Sequence, residues 1–182
     1  MLPPDILPRT ALPQPGTAAP QRSYAFAALA GLAALCAAHP LAHPGLAVAF
    51  WLPGLVGYVA ASGVAGLLLG RGFPHPELGW CNVVTQGRLA LVALLAAPLA
   101  AQSGAGGWAV AALALAAFAL DGADGWLARR QGLSSAFGAR FDMEVDAALA
   151  LVLALHALAA GAAGPAVLVL GLARYAFLAA SL

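Results

Sequence analysis

Uncharged apolar stretches dominate what this chain can become. Six of them, at roughly 24–38, 46–70, 83–101, 108–128, 141–160 and 165–182, alternate with short connections. A bilayer core about 30 Å thick needs about 20 helical residues, and most of the six reach that length; the first is the shortest. At 63% hydrophobic and 8% charged residues the chain lies outside the range of soluble domains. The expected fold is all-α, a polytopic transmembrane helical bundle of about six spans. No nucleic-acid partner is expected.

Residues 1–22 hold Pro3, Pro4, Pro8, Pro13, Pro15 and Pro20 and read as a flexible tail, retained because they lack the pattern of a secretory signal. Residues 23–79 read as two spans followed by a loop, in which Pro74, Pro76 and Glu77 precede a short interfacial helix around 78–81. Gly63, Gly66 and Gly70 suit close helix packing. Every basic side chain is arginine. Arg9, Arg22, Arg71, Arg88, Arg129, Arg130 and Arg140 fall at alternate connections, whereas 39–45, 102–107 and 161–164 carry none. By the positive-inside rule the N-terminus and the 121–146 connection face the cytoplasm, in a membrane of the bacterial inner-membrane type.

Five of the chain's seven acids, Asp121, Asp124, Asp142, Glu144 and Asp146, fall in that one connection. Carboxylates beside hydrocarbon are costly unless paired, solvated or bound to a cation, so the cluster is a functional-site candidate. Asp121 and Asp124 are three apart and Asp142 and Asp146 four apart, which puts each pair on one face of its own helix. Two such faces in contact bring four aspartates together. With no His or Cys among them, the donor set suits a hard divalent ion, Mg2+ or Mn2+. Glu144 lies on another face and is left out. Gly125 allows a ligand or helix to approach the backbone, and Arg129, Arg130 and Arg140 suit phosphate oxygens. Metal, small residues and arginine together point to phosphoryl transfer.

The pattern Asp121-x2-Asp124-Gly125-x2-Ala128-Arg129-x8-Gly138-x3-Asp142-x3-Asp146 resembles the signature of the CDP-alcohol phosphotransferase (CDP-alcohol phosphatidyltransferase) family. Asn82, Thr85 and Arg88 similarly match a Pro-Asn-x-x-Thr-x-x-Arg-like segment on that family's first core helix, with Cys81 in place of the proline. The resemblance assigns residues 80–182 to the family's domain and implies transfer of a substituted phosphate from a CDP-linked alcohol to an acceptor alcohol, with release of CMP. It implies two divalent ions on Asp121, Asp124, Asp142 and Asp146, with Asp146 also the general base. Gly125, Ala128, Arg129, Gly138, Asn82 and Thr85 would hold the nucleotide and diphosphate. A homodimer is also implied. The family core usually has six helices; counted from Asn82 this chain supplies four, so the core is expected to stop after its fourth helix.

Arg88, Arg140 and Arg174 are candidates for contact with the acceptor or its phosphate. Arg174 lies within the last apolar segment, where an unpaired guanidinium is costly, so it should face a polar cavity or a carboxylate. His39, His43 and His75 are expected to be solvated in loops, His156 to be partnered or to face a cavity, and Cys36 and Cys81 to be inert. Two other functions fit the composition: an inactive scaffold or subunit derived from the same family, and an ion or proton transport element.

Overall fold

The computed structural model of the chain describes residues 18–101 and 107–180. The expected helical bundle forms: six α-helices and no strand among the described residues. They are α1 (Ala18–Ala42), α2 (Leu52–Leu69), α3 (Trp80–Ala100), α4 (Gly107–Gln131), α5 (Ala136–Ala159) and α6 (Leu168–Ala180). Short 3-10 turns, Val48–Trp51 and Pro165–Val167, lead into α2 and α6. α1, α2, α3 and α4 are long and apolar enough to cross a membrane. α5 has the length, at 24 residues, but carries Arg140, Asp142, Glu144 and Asp146 in its first half, and α6 has 13 residues.

α3 is the axis of the bundle, packed against α1, α2, α4 and α5, while α6 lies on α5. Its sequence explains the position. Leu89, Val92, Leu94, Leu95 and Ala97 supply apolar surface around the helix, and all are buried. At its N-terminal end, Asn82, Thr85, Gln86 and Arg88 are buried too, so each needs a partner inside the protein.

Gln86 finds its partners on α1 and α2. Its Nε2 donates to the Tyr58 hydroxyl at 2.8 Å and to Ser62 Oγ at 2.7 Å. The Tyr24 hydroxyl lies 3.0 Å from Gln86 Oε1 and from the Ser62 carbonyl. Gly54, where a Cβ would sit 2.3 Å from the Ala93 carbonyl oxygen, lets α2 close onto α3.

Several expectations need correction. α1 starts at Ala18, inside the segment read as tail, and at 25 residues is a full-length helix. Pro20 misled the reading, because proline in a first helical turn costs no hydrogen bond. α3 runs unbroken from Trp80, after Gly79 at φ 77°, so residues 78–81 form no separate interfacial helix. His39 and His43 are buried, not solvated: His39 stacks on Trp51 at 4.6 Å and His43 Nε2 bonds the Leu94 carbonyl at 3.0 Å. His75 bonds the Ser134 carbonyl at 3.0 Å. His156 is partnered, by the Leu95 carbonyl at 2.8 Å. The tail up to residue 17, the connection 102–106 and residues 181–182 lie outside the described residues.

Candidate active site

α4 and α5 both pack against α3, and the spacing of their aspartates turns both pairs toward it. The side chain that meets them is Arg88. Its guanidinium is 1% exposed and pairs with Asp121 and Asp124, each at 2.9 Å, and with Asp142 and Asp146. All four aspartates therefore converge on one cation belonging to the chain. Thr85, one turn earlier on the same face, donates to Asp124 Oδ2 at 3.1 Å.

One guanidinium against four carboxylates leaves a formal excess of three negative charges. The ion pairs engage Oδ1 of Asp121, Asp142 and Asp146 and Oδ2 of Asp124. Each ionised carboxylate has about four lone-pair directions, so acceptor capacity remains. Oxygens of Asp121, Asp142 and Asp146 lie within 4.8 Å of one another, close enough to share a cation. With the charge excess, this all-oxygen set fits a hard divalent ion.

Beside the aspartates is a cavity of about 220 Å³. Asn82, Thr85, Asp124, Gly125, Ala128, Arg129, Gly138 and Asp142 all line it. The sequence had set these residues apart as candidates, and the fold brings them to one place. At Gly138 a Cβ would lie 3.1 Å from Asn82 Oδ1 and 3.2 Å from Ser135 Oγ, so a larger residue would press on the cavity wall. Arg140 and Arg174 are not brought here. Arg174 donates to Glu144 Oε1 at 2.7 Å, the second of the two surroundings expected for it, on the other side of α5.

Cys81, Leu133, Ser134 and Ser135 also line the cavity and were missed. Ser135 had a signal: a serine just before an apolar helix is a favoured N-cap, and its Oγ accepts from the Gly138 N–H at 3.0 Å. Cys81 had only its place one residue before Asn82. The loop is drawn in by two contacts: the Trp80 N–H donates to Gln131 Oε1 at 3.1 Å, and His75 holds Ser134.

A helical bundle with four long apolar helices and an aspartate cluster at one end, next to a small cavity bordered by arginine and glycine, defines a class: an integral membrane protein with an acidic site that could hold a cation. The model of the CDP-alcohol phosphatidyltransferase family matches residues 79–182, more than half of the chain, and the chain belongs to that family. The family transfers a phosphatidyl group from a CDP-alcohol and depends in general on divalent metal ions. No curated protein and no solved structure matches the chain.

Proposed function

We propose that this protein transfers a phosphatidyl group from a CDP-linked alcohol such as CDP-diacylglycerol to an acceptor alcohol and releases CMP, as a step in phospholipid biosynthesis. The observation that carries the reading is the convergence of all four signature aspartates around Arg88, at the edge of the cavity lined by the signature's small residues. Asp121, Asp124, Asp142 and Asp146 would hold Mg2+ or Mn2+, which when bound neutralises charge on the diphosphate oxygens.

The chain's own residues do the remainder. Gly125, Ala128 and Gly138 leave room for the nucleotide, while Arg129 binds phosphate oxygen and Asn82 and Thr85 support the cavity wall. Arg88 keeps the four carboxylates in register. Asp146, whose side chain is 47% exposed, is the aspartate most open to an incoming hydroxyl. Arg88 orients it through Oδ1, and Oδ2 takes the proton of the acceptor hydroxyl. The acceptor oxygen bonds to the β-phosphorus as the bond from that phosphorus to the bridging oxygen breaks, and CMP leaves with the electron pair. The arginines at this end of the bundle favour a cytoplasmic orientation, where nucleotides are available.

The test is CMP release from CDP-diacylglycerol by the full-length protein in nanodiscs, with candidate acceptor alcohols supplied in turn. Release should require Mg2+ or Mn2+ and fall by at least about a hundredfold in Asp146→Asn, the scale of a lost general base. Asp121→Asn, Asp124→Asn and Asp142→Asn should abolish it while insertion into the membrane persists. Near-normal release by any of these variants removes that residue from the proposed site.

A further inference from the structure

A groove of about 900 Å³ runs down the flank of the bundle between α2 and α5. It lies across α5 from the aspartates: Asp142 and Asp146 turn toward Arg88, whereas Phe137, Phe141, Glu144 and Ala148 recur at helical spacing along the groove. No residue lines both this groove and the cavity beside Asp124. None of the residues given a role in the proposed transfer lines it.

The walls are mostly apolar, with Ala61, Val64 and Leu68 on the α2 side facing Phe137 and Phe141 on α5. One end differs. Arg71 and Arg140 line it, both exposed and neither paired with a carboxylate among the described residues. They share that end because Phe73, just after Arg71, packs edge-on against Phe137 at 5.8 Å, one turn before Arg140. The groove's one acid, Glu144, is neutralised by Arg174. An apolar trough thus ends in two uncommitted positive charges.

We propose that this groove binds one anionic phospholipid, its phosphate at Arg71 and Arg140 and an acyl chain lying between α2 and α5. A volume of about 900 Å³ falls within the range of roughly 300–1,000 Å³ usual for small-ligand sites. In a bilayer the flank of a bundle meets hydrocarbon, which suits these walls. Guanidinium groups pair well with phosphate oxygens. The charge selects the occupant: a net-negative lipid satisfies both arginines, while a zwitterionic headgroup brings a cation toward them.

Native mass spectrometry of the full-length protein, released from phosphatidylcholine nanodiscs holding phosphatidylglycerol as the minority lipid, tests this. The wild type should retain one phosphatidylglycerol in preference to phosphatidylcholine. Arg71→Gln and Arg140→Gln should each weaken retention about five- to tenfold, the scale of one basic contact with an anionic lipid. Gly57→Leu should remove it, because Gly57 lines the groove and a Cβ there meets no atom within 4 Å, so the added side chain has room to start into the trough. Arg71 lies on an exposed loop, so its variant keeps the test valid even if Gly57→Leu does not fold. Asp146→Asn should retain the lipid, which separates this result from the fate of the transferase reading. Equal retention of both lipids, or wild-type retention by the arginine variants, overturns the proposal. So does an intersubunit disulfide from Gly57→Cys in a chain lacking Cys36 and Cys81, since it would seat a second copy there.

Discussion

Arg88 holds the candidate site together, and its partners make that testable. A guanidinium buried among four carboxylates cannot be removed without leaving like charges facing one another, Asp124 at 4% exposure among them. Breaking a buried pair by deleting one partner costs about 3–5 kcal/mol. Arg88→Gln should therefore lower the melting temperature markedly, and Mg2+ should raise it more in the variant than in the wild type, because the ion replaces the missing charge. A variant that melts like the wild type would show that the guanidinium is not a structural counter-charge. Cys81 offers a second probe. In a Cys36→Ser chain it is the sole thiol and lines the cavity, so alkylation by a small thiol reagent should slow when CDP and Mn2+ are added together. Equal rates with and without CDP would place the nucleotide elsewhere. The aspartates were legible in the sequence because spacings of three and four residues fix a helical face. Arg88 was legible only in part: its register beside Asn82 and Thr85 pointed toward the site, but nothing in the spacing said it would meet all four acids. Cys81 gave no chemical signal, since its role is to border a space that other helices create.

At the scale of elements, α1 and α2 are tied to α3 through Gln86, and the tie is polar. Tyr58 completes it by donating to the Ala28 carbonyl of α1 at 2.9 Å. In surroundings as apolar as these, an unmatched buried polar group costs about 1–3 kcal/mol. Gln86→Leu should loosen this corner, raising amide hydrogen exchange in α1 and α2 while α4 and α5 stay protected. Unchanged exchange in α1 would mean that apolar packing alone docks it. The helices could be read from the sequence because spans need long uninterrupted apolar runs. Their packing could not, because in a membrane protein both the lipid-facing and the inward faces are apolar and periodicity loses its meaning. Hence Gln86 was passed over although it is 1% exposed, and His39 and His43 were placed in solvent. Arg174 shows the opposite case. The cost of an unpaired charge inside an apolar helix called for a polar cavity or a carboxylate; the structure supplies the carboxylate, Glu144, and not the acceptor contact for which Arg174 was a candidate.

At the scale of the whole molecule, the acidic cluster among the described residues lies at one end of an apolar bundle, and that asymmetry organises the function proposed for it. A chain that is 63% hydrophobic keeps five of its seven acids within 26 positions, 121–146, and α3, α4 and α5 gather four of those five around one arginine. The class of protein was readable from length and composition, and the family from the acid spacing. The groove between α2 and α5 was not readable, because its walls come from segments separated by some 70 residues that individually look like ordinary spans. In the function proposed here, the excess negative charge binds divalent cations beside a cytidine diphosphate group. Titration of Mn2+ into the full-length protein in nanodiscs, with free Mn2+ followed by electron paramagnetic resonance, checks this. Saturable binding of about two ions per chain is expected, tightened by CDP and lost when Asp121 and Asp142 are both changed to Asn. Binding that persists unchanged in that double variant, or no binding by the wild type even with CDP present, would contradict it.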